Sequence, residues 1–308
     1  MLKCLILNDR EPIPEGALDQ FSNYLELYWH QAPGSKFSLD VALSECPGAQ
    51  ILITTYMDLS ASNLGRLQGL KAIIATTTGV DYIDLAYCRE KGIRVCNTRN
   101  YTGSSVAEHA LMLMLAAARR IDLLDKRIRQ GDFDCFDVRG IELTGKTAGV
   151  IGLGNIGSTI ARLCLGLGMK ILFSNRSQKM LEGARQVDLQ ELLSVSDVIF
   201  VSVPLNDESK GLIDSEALSL VKSSALLIST SPDTIIDKGA LDSALRSGKL
   251  AAAALDLHAR DKSYLDIPNL ILTPRRAWFT EETFVRRIDA WKDVLASYLK
   301  DSPINVVA

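Results

Sequence analysis

The chain has 308 residues, of which 47% are hydrophobic and 23% are charged, and its formal net charge is -3. This length suggests about two domains, and the composition is that of an ordinary globular protein able to bury a core. The slightly negative charge argues against nucleic acid or an anionic membrane surface as the main partner. No run of eighteen apolar residues occurs, and the apolar N-terminal run is too short for a signal peptide, so we expect a cytoplasmic protein.

The six cysteines are scattered along the chain and show no CxxC spacing. We therefore interpret them as buried thiols of a reducing compartment, and neither a disulfide framework nor a metal site is predicted. They are Cys4, Cys46, Cys88, Cys96, Cys135 and Cys164.

Short apolar runs alternate with helical patterns along nearly the whole chain. The first series of predicted strands covers 3–8, 51–56, 72–76 and 94–98. The second series covers 147–153, 170–175, 197–203, 225–230, 251–256 and 270–273. Most of these runs are continuously apolar, which is typical of parallel strands covered by helices on both faces. The pattern predicts an α/β protein with two doubly wound parallel-sheet domains.

Two long helices are predicted from capping and apolar periodicity. The stretch 104–131 contains Ser105 and Glu108 at the spacing of a capping box, and its first half is apolar on nearly every side. We expect this helix to be buried, either between domains or in a subunit contact. The last helix covers 280–300 and begins at Thr280, which is followed by two glutamates that suit a helix N-terminus.

The stretch TAGVIGLGNIG, residues 147–157, carries three glycines between a predicted strand and a predicted helix. The first permits a tight turn, the second lets a pyrophosphate approach the backbone, and the third allows close packing of the helix on the strand. The helix N-terminus adds unpaired N–H groups and a positive dipole end. The sequence thus predicts a dinucleotide site that includes Gly152, Gly154, Asn155, Ile156 and Gly157.

The second strand of this unit ends at Asn175, Arg176 and Ser177, about 20 residues beyond the glycine turn. An NAD site places a carboxylate there to hold the ribose 2′-hydroxyl, whereas a guanidinium and a hydroxyl suit a 2′-phosphate. We therefore predict NADP(H) as the cofactor, with NAD less favoured. The alternative is that Arg176 is only a solvated loop charge.

Several longer motifs, strongest over residues 71–300, resemble the D-isomer-specific 2-hydroxyacid dehydrogenases. They include VDYIDLAYCREKGIRVCNT, SSVAEHALMLMLAAARR, ELTGKTAGVIGLGNIG and VSVPLNDESKGLI. The resemblance implies a Rossmann cofactor domain at 99–279 inserted into a flavodoxin-like substrate domain formed by 1–98 and 280–308. It also implies a homodimer and a reversible hydride transfer between a nicotinamide and a small 2-oxo or 2-hydroxy acid.

The resemblance further implies several individual contacts. Cofactor contacts are expected at Val203, Pro204, Thr230 and Asp256, the last of which typically meets the nicotinamide amide. The substrate loop of the family corresponds here to Thr77, Thr78 and Gly79.

This chain departs from the family pattern at all three catalytic positions. The arginine that holds the substrate carboxylate is replaced by Pro232, and the histidine that passes the proton is replaced by Arg275. The glutamate that tunes this histidine falls on Asp261, which is one methylene shorter. Because arginine stays protonated at physiological pH, Arg275 is unable to shuttle a proton.

Three interpretations of the replaced site remain open. In the first, Arg275 and Arg276 bind an anionic or carbonyl-containing small molecule or polarise its oxygen, and His258 donates the proton. Asp261 or Asp233 pairs with an arginine or orients the histidine. In the second, the protein binds NADP(H) without turnover, as a pseudoenzyme that acts as a sensor, scaffold or partner-binding protein. In the third, the cofactor serves different chemistry, such as the reduction of a non-carboxylate carbonyl, an imine or an activated alkene. We favour an NADP(H)-dependent oxidoreductase with a changed substrate or mechanism over the silent binder.

Overall fold

The computed structural model describes residues 1–8, 13–31, 39–258 and 261–308. The chain forms two compact units. One unit comprises Met1–Tyr101 with Thr280–Ala308, and the other comprises Thr102–Phe279. The sequence placed the first boundary at 98/99 and the second at 279/280. The roles of the two units as substrate domain and cofactor domain stay predictions.

The first unit contains a five-stranded sheet in which each pairing is parallel. Its strands are β1 (Leu2–Asn8), β2 (Leu25–Gln31), β3 (Ile51–Thr54), β4 (Ala72–Ala75) and β5 (Arg94–Asn97). Their order, β2-β1-β3-β4-β5, is that of the flavodoxin-like doubly wound fold. The helices are α1 (Leu39–Glu45), α2 (Ala61–Leu64), α3 (Leu85–Glu90) and α10 (Glu281–Leu299).

The second unit contains a parallel seven-stranded sheet. Its strands are β6 (Thr147–Ile151), β7 (Lys170–Ser174), β8 (Ala184–Gln186), β9 (Val198–Val201), β10 (Leu226–Ser229), β11 (Ala252–Asp256) and β12 (Leu270–Thr273). The order β12-β11-β10-β9-β6-β7-β8 reverses direction between β6 and β9, as in the Rossmann fold. The helices are α4 (Gly103–Arg119), α5 (Ile121–Arg129), α6 (Asn155–Gly166), α7 (Leu189–Val195), α8 (Ser215–Leu220) and α9 (Lys238–Arg246). The predicted fold class is confirmed.

Each sheet separates two hydrophobic cores, as expected of a sheet that helices cover on both faces. In the second unit, α4 and α6 pack on one face around Phe173 and Phe200, while α7, α8 and α9 pack on the other face. In the first unit, α10 covers one face through Trp291 and Leu295, and α1 and α3 contribute to the core on the opposite face. This arrangement explains why the strands are apolar runs without alternation.

The sequence did not predict two of the strands or the break in one of the helices. Strands β2 and β8 were not predicted, because both are edge strands that mix polar and apolar side chains. The predicted helix 104–131 is two helices, since Arg120 adopts a left-handed conformation with φ 53° and ends α4. Met112 and Leu115 of α4 are 43% and 40% exposed in the single chain, so the predicted burial of this face in a subunit contact stays a prediction.

The two predicted helix N-termini have different outcomes. The capping box at Ser105 and Glu108 is wrong, because α4 already begins at Gly103 and Ser105 lies inside its first turn. The Ser105 hydroxyl donates instead to the carbonyl oxygen of Thr102, at 3.0 Å. The cap at Thr280 is confirmed, since its Oγ1 accepts a hydrogen bond from the N–H of Thr283 at 3.2 Å.

In the part of the chain that the structure describes, no helix is long and apolar enough to cross a membrane. No group of three or more His, Cys, Asp or Glu side chains in that part is arranged to hold a metal ion. All six cysteines are free thiols, five of them buried and Cys135 half-buried.

Candidate dinucleotide and substrate site

The three glycines of the turn after β6 meet different surroundings. Gly152 has φ +91°, and a Cβ there would lie 2.5 Å from the carbonyl oxygen of Ser202. A Cβ on Gly157 would lie 2.0 Å from the carbonyl oxygen of Gly152, so α6 packs directly on the turn. Gly154 differs, because a Cβ there would meet no atom within 4 Å. Gly152 and Gly157 are therefore required by the packing of the turn. Gly154 instead leaves open space at the N-terminus of α6, which suits a pyrophosphate.

Asn155 and Ile156 form the first turn of α6. The side chain of Asn155 packs against α4, where a Cβ on Gly103 would lie 2.6 Å from its Nδ2. Ile156 is partly buried against the core on the α4 side of the sheet. Their side chains therefore fix the helix start, and their backbone N–H groups are the atoms suited to an anion.

Asn175 connects the end of β7 to the glycine turn. Its Oδ1 accepts a hydrogen bond from the N–H of Leu153 at 3.1 Å, and its Nδ2 donates to Oγ and O of Ser177 at 3.0 and 2.9 Å. Gln186 of β8 donates to the carbonyl oxygen of Asn175 at 3.1 Å. The segment 175–177 is thus held in one conformation beside the predicted ribose position.

Arg176 is paired with a carboxylate that the sequence did not indicate. Its Nη1 donates to Oε2 of Glu208 at 2.8 Å, and both side chains are largely exposed. Glu208 lies in the loop after β9, 32 residues further along the chain. No local spacing signals this pair, because the two loops meet only at the carboxyl edge of the folded sheet. The segment 175–177 itself contains no carboxylate, but Glu208 brings one to Arg176 from another loop.

The loops after β9 and β10 hold three other predicted cofactor residues. The Oγ of Ser231 lies 3.1 Å from N and 3.0 Å from O of Val203 and so ties the two loops together. The carbonyl oxygen of Pro204 accepts a hydrogen bond from Ser209 at 2.7 Å. Thr230 directly follows β10 and is half-buried. These residues line the same edge of the sheet as the glycine turn, because the carboxyl ends of parallel strands share one edge.

Asp256, at the end of β11, is 2% exposed and organises the turn after β12. Its Oδ1 accepts hydrogen bonds from the hydroxyl of Thr273 at 2.6 Å and from the N–H of Arg276 at 2.7 Å, and its Oδ2 accepts one from the N–H of Ala277 at 2.9 Å. His109 of α4 lies 2.9 Å from the Thr273 hydroxyl. These contacts hold the 273–277 turn, and the implied contact of Asp256 with the nicotinamide amide stays a prediction.

Burial lowers the pKa of His109, and the nearby carboxylate of Asp256 opposes this shift. Because the Thr273 hydroxyl gives its hydrogen to Asp256, it accepts one from Nε2 of His109. Nε2 of His109 therefore carries a hydrogen, and the half-buried imidazole supports the turn.

His258 lies with Asp233 and Arg275 where β10, β11 and β12 end. The N–H of His258 donates to Oδ1 of Asp233 at 3.0 Å. Burial lowers the pKa of the His258 imidazole, and the positive charge of Arg275 lowers it further. Asp233, Asp256 and a hydrogen bond to the backbone of Thr230 act in the opposite direction. The site therefore combines an imidazole of lowered pKa with a permanent cation.

Asp261 lies outside this group. Its Oδ1 accepts a hydrogen bond from the N–H of Ser263 at 2.9 Å, and its Oδ2 lies 3.7 Å from Nζ of Lys238. It caps the short 3-10 helix Lys262–Tyr264, and the hydrogen bonds from Ser263 lower the pKa of its carboxyl group. The hydrogen bond from the N–H of His258 goes to Asp233 and not to Asp261.

The two arginines after β12 are exposed, and Arg275 adopts a left-handed backbone conformation with φ 53°. The guanidinium of Arg276 stacks over the ring of Phe279, 4.7 Å from its centroid. Ala277 is buried, whereas Phe279 is 40% exposed and carries this cation–π contact on the surface.

The predicted substrate loop belongs to the first unit. The hydroxyl of Thr77 donates to the carbonyl oxygen of Gly79 at 2.7 Å and lies 2.8 Å from the hydroxyl of Tyr82. The hydroxyl of Thr78 donates to the carbonyl oxygen of Thr98 at 3.0 Å. Burial raises the pKa of Tyr82 to about 12, although the Thr77 bond opposes this shift. Both threonine hydroxyls therefore shape the loop itself.

The fold and the glycine turn together define a dinucleotide-binding α/β protein. The model of the D-isomer specific 2-hydroxyacid dehydrogenase NAD binding domain matches residues 111–277. The glycerate dehydrogenase of Methylorubrum extorquens is 34% identical over 321 residues, covering 100% of this chain and 99% of that protein. The glyoxylate reductase of Aeropyrum pernix is 34% identical over 295 residues, covering 90% of this chain and 87% of that protein.

Among solved structures, an acyclic imino acid reductase in complex with NADPH and D-Arg has a TM-score of 0.87. It is 28% identical in sequence, and the match covers 100% of both chains. The chain belongs to the D-isomer specific 2-hydroxyacid dehydrogenase family. It is thus a member of a family of oxidoreductases that act on a CH–OH group.

Proposed function

We propose that this protein is an NADP(H)-dependent oxidoreductase that acts on a small anionic substrate through an active site different from that of its relatives. The observation that carries the proposal is the group of His258, Asp233 and Arg275, which lies on the same sheet edge as the open glycine turn. A proton carrier and a fixed cation next to a dinucleotide site are the elements that this chemistry needs.

In this proposal His258 and Arg275 have different roles. Arg275 binds the anionic group of the substrate or the oxygen on which charge develops, because its guanidinium stays charged at every working pH. The neutral imidazole of His258 accepts the hydroxyl proton when the substrate is oxidised, and it must be protonated when the substrate is reduced. The hydride would come from, or go to, the nicotinamide of NADP(H) when it is bound at the glycine turn. Asp233 fixes the backbone position of His258 through its hydrogen bond.

The proposal assigns the 2′-phosphate of NADP(H) to Arg176 and Ser177. The support is the fixed 175–177 segment, which holds a guanidinium and a hydroxyl at the end of the second strand of the Rossmann sheet. A thermal-shift titration tests this choice. We expect NADP to raise the melting temperature at lower concentrations than NAD, and equal concentrations for the two would refute it.

The substrate class is narrowed by two considerations. A cationic group next to the reacting position favours a 2-oxo acid, or the imine of one, over a neutral carbonyl. Two sequence relatives are named for glycerate, a 2-hydroxy acid, and glyoxylate, a 2-oxo acid. One similar solved structure is named for an imino acid. We therefore propose a small 2-oxo acid or 2-imino acid as the oxidised substrate.

Oxidation of NADPH by the purified protein tests the proposed activity. The panel contains glyoxylate, hydroxypyruvate and pyruvate, each with and without ammonia or an amine, and a matched set of neutral aldehydes. We expect turnover with one or more of the acids and none with the neutral carbonyls. Binding of NADPH without oxidation at high protein concentration would favour a silent NADP(H)-binding protein acting as a sensor, scaffold or partner-binding subunit.

We also propose a homodimer built on the second unit. Large apolar side chains are exposed along α4, α5 and the loop that follows them, where an isolated chain would leave them in water. They are Met112, Leu115, Ile121, Ile128, Phe133 and Phe136.

We also propose a cytoplasmic location, which is supported by six free thiols, because free thiols persist in a reducing compartment. Fractionation of cells that express the protein tests the location.

A further inference from the structure

We infer that Glu208 sets the discrimination between NADPH and NADH by competing with the 2′-phosphate for Arg176, an inference that rests on the proposed NADP(H) site. The guanidinium of Arg176 donates to the Glu208 carboxylate at 2.8 Å, and a phosphate oxygen would compete for the same N–H group. Glu208 is therefore a specificity-determining residue that lowers the preference for NADPH.

The position of Arg176 is fixed by its neighbours. Asn175 and Ser177 on either side of it are hydrogen-bonded to each other, and Gln186 donates to the carbonyl oxygens of both at 3.1 and 3.2 Å. Because the backbone on both sides is held, the guanidinium has only its own side-chain torsions with which to move. It stays within reach of Glu208 and of a 2′-phosphate at the end of β7.

The loop that carries Glu208 is also held. Oδ1 of Asn206 accepts hydrogen bonds from the N–H groups of Glu208 and Ser209, each at 3.0 Å. The hydroxyl of Ser209 donates to the carbonyl oxygen of Pro204 at 2.7 Å and accepts the N–H of Asn206 at 2.8 Å. The carboxylate is thus presented to Arg176 by a formed turn.

The exposure of the pair sets the size of the effect. The side chains of Arg176 and Glu208 are 78% and 70% exposed, so water screens their attraction and a dianionic phosphate is able to displace the carboxylate. A displaced Glu208 remains beside the phosphate as a like charge. NADH carries no 2′-phosphate, so its binding leaves the ion pair intact. The carboxylate therefore weakens NADPH binding selectively.

The test measures the Kd of NADPH and of NADH by nucleotide fluorescence for the wild-type protein and for Glu208→Gln. We expect the substitution to tighten NADPH about fivefold and to leave the NADH Kd within about twofold, as for loss of one exposed charge pair. The difference between the two proteins for NADPH should shrink as the salt concentration rises.

A matched control removes a similar carboxylate from the same unit. Arg185 and Glu191 form another exposed ion pair, at 2.6 Å, and Glu191→Gln changes the net charge by the same amount. We expect it to alter neither Kd. In a protein that already carries Arg176→Ala, adding Glu208→Gln should give less than half of the gain in NADPH affinity that it gives in the wild type. The reason is that Glu208 acts largely through Arg176.

The outcomes separate this inference from the proposed cofactor. An unchanged NADPH Kd in Glu208→Gln, or an equal change for both nucleotides, overturns the role of Glu208 even if the wild type prefers NADPH. A wild type that prefers NADH, with a shift toward NADPH in the variant, upholds Glu208 and refutes the NADP(H) preference. Binding of neither nucleotide by either protein overturns both.

Discussion

The backbone N–H of His258 donates a hydrogen bond to the carboxylate of Asp233 at 3.0 Å, joining the loops that follow two neighbouring strands. Asp233 also lies at the start of the short 3-10 helix Asp233–Ile235, so the loop after β10 presents its carboxylate in a defined turn. The histidine is thereby fixed through its backbone, and its imidazole makes a separate hydrogen bond to the backbone of Thr230.

Replacement of the imidazole tests its chemical role. We expect His258→Gln to lower kcat by about 10²- to 10⁴-fold, the usual contribution of a positioned proton donor. The hydrogen bond to Asp233 comes from the backbone and survives the substitution, so the NADPH Kd and the melting temperature should stay close to those of the wild type. Steady-state kinetics and nucleotide fluorescence check both expectations. A variant with kcat within about threefold of the wild type would remove His258 from the mechanism.

The charge of Arg275 should be visible in the titration of His258. Burial lowers the imidazole pKa first, and the guanidinium lowers it further. Replacing Arg275 with Met removes the second cause, so we expect the His258 pKa to rise, as measured by NMR titration of the imidazole. Reduction requires protonated His258, so the wild-type reduction rate should fall as the pH rises through the lowered His258 pKa, below 6.5. In the Arg275→Met variant the same fall should occur at a higher pH. An identical titration in both proteins would place Arg275 too far from the ring.

The glycine turn offers a pair of substitutions with opposite expectations. Gly157→Ala would bring a Cβ to 2.0 Å from a backbone oxygen, and we expect it to lower the free energy of unfolding by about 2 kcal/mol or more. Gly154→Ala meets open space and should change stability by less than about 0.5 kcal/mol. Its Cβ occupies the expected path of the pyrophosphate, so we expect the NADPH Kd to rise at least about tenfold. Denaturant unfolding and nucleotide titration separate the two effects, and a Gly154→Ala protein with unchanged affinity would argue against this cradle.

The exposed apolar side chains after α5 test the proposed dimer. Phe133 and Phe136 are 78% and 90% exposed, and we expect light scattering to give the wild type twice the mass of one chain. Phe133→Ser with Phe136→Ser should shift this equilibrium toward the monomer, since each buried aromatic stabilises an interface. Met180→Ser, which removes another exposed apolar side chain from the second unit, serves as the control. A monomeric wild type would refute the proposal.

The sequence by itself determined the two sheets and the glycine turn, because both are encoded by short, contiguous residue patterns. Continuously apolar runs form the interior strands, and the spacing of Gly152, Gly154 and Gly157 encodes a turn in which two positions lack room for a side chain. Edge strands β2 and β8 escaped prediction, since solvent on one side permits polar residues that hide their pattern. The break at Arg120 also had no local signal, because a non-glycine residue takes the left-handed conformation there.

Only the tertiary structure decided which side chains meet at the candidate site. The pair of Arg176 with Glu208 and the bond from His258 to Asp233 join residues 32 and 25 positions apart. Asp261 lies near His258 in sequence yet bonds to Ser263 and Lys238. Parallel strands explain the two long-range pairs, because they bring distant loops to one edge of the sheet.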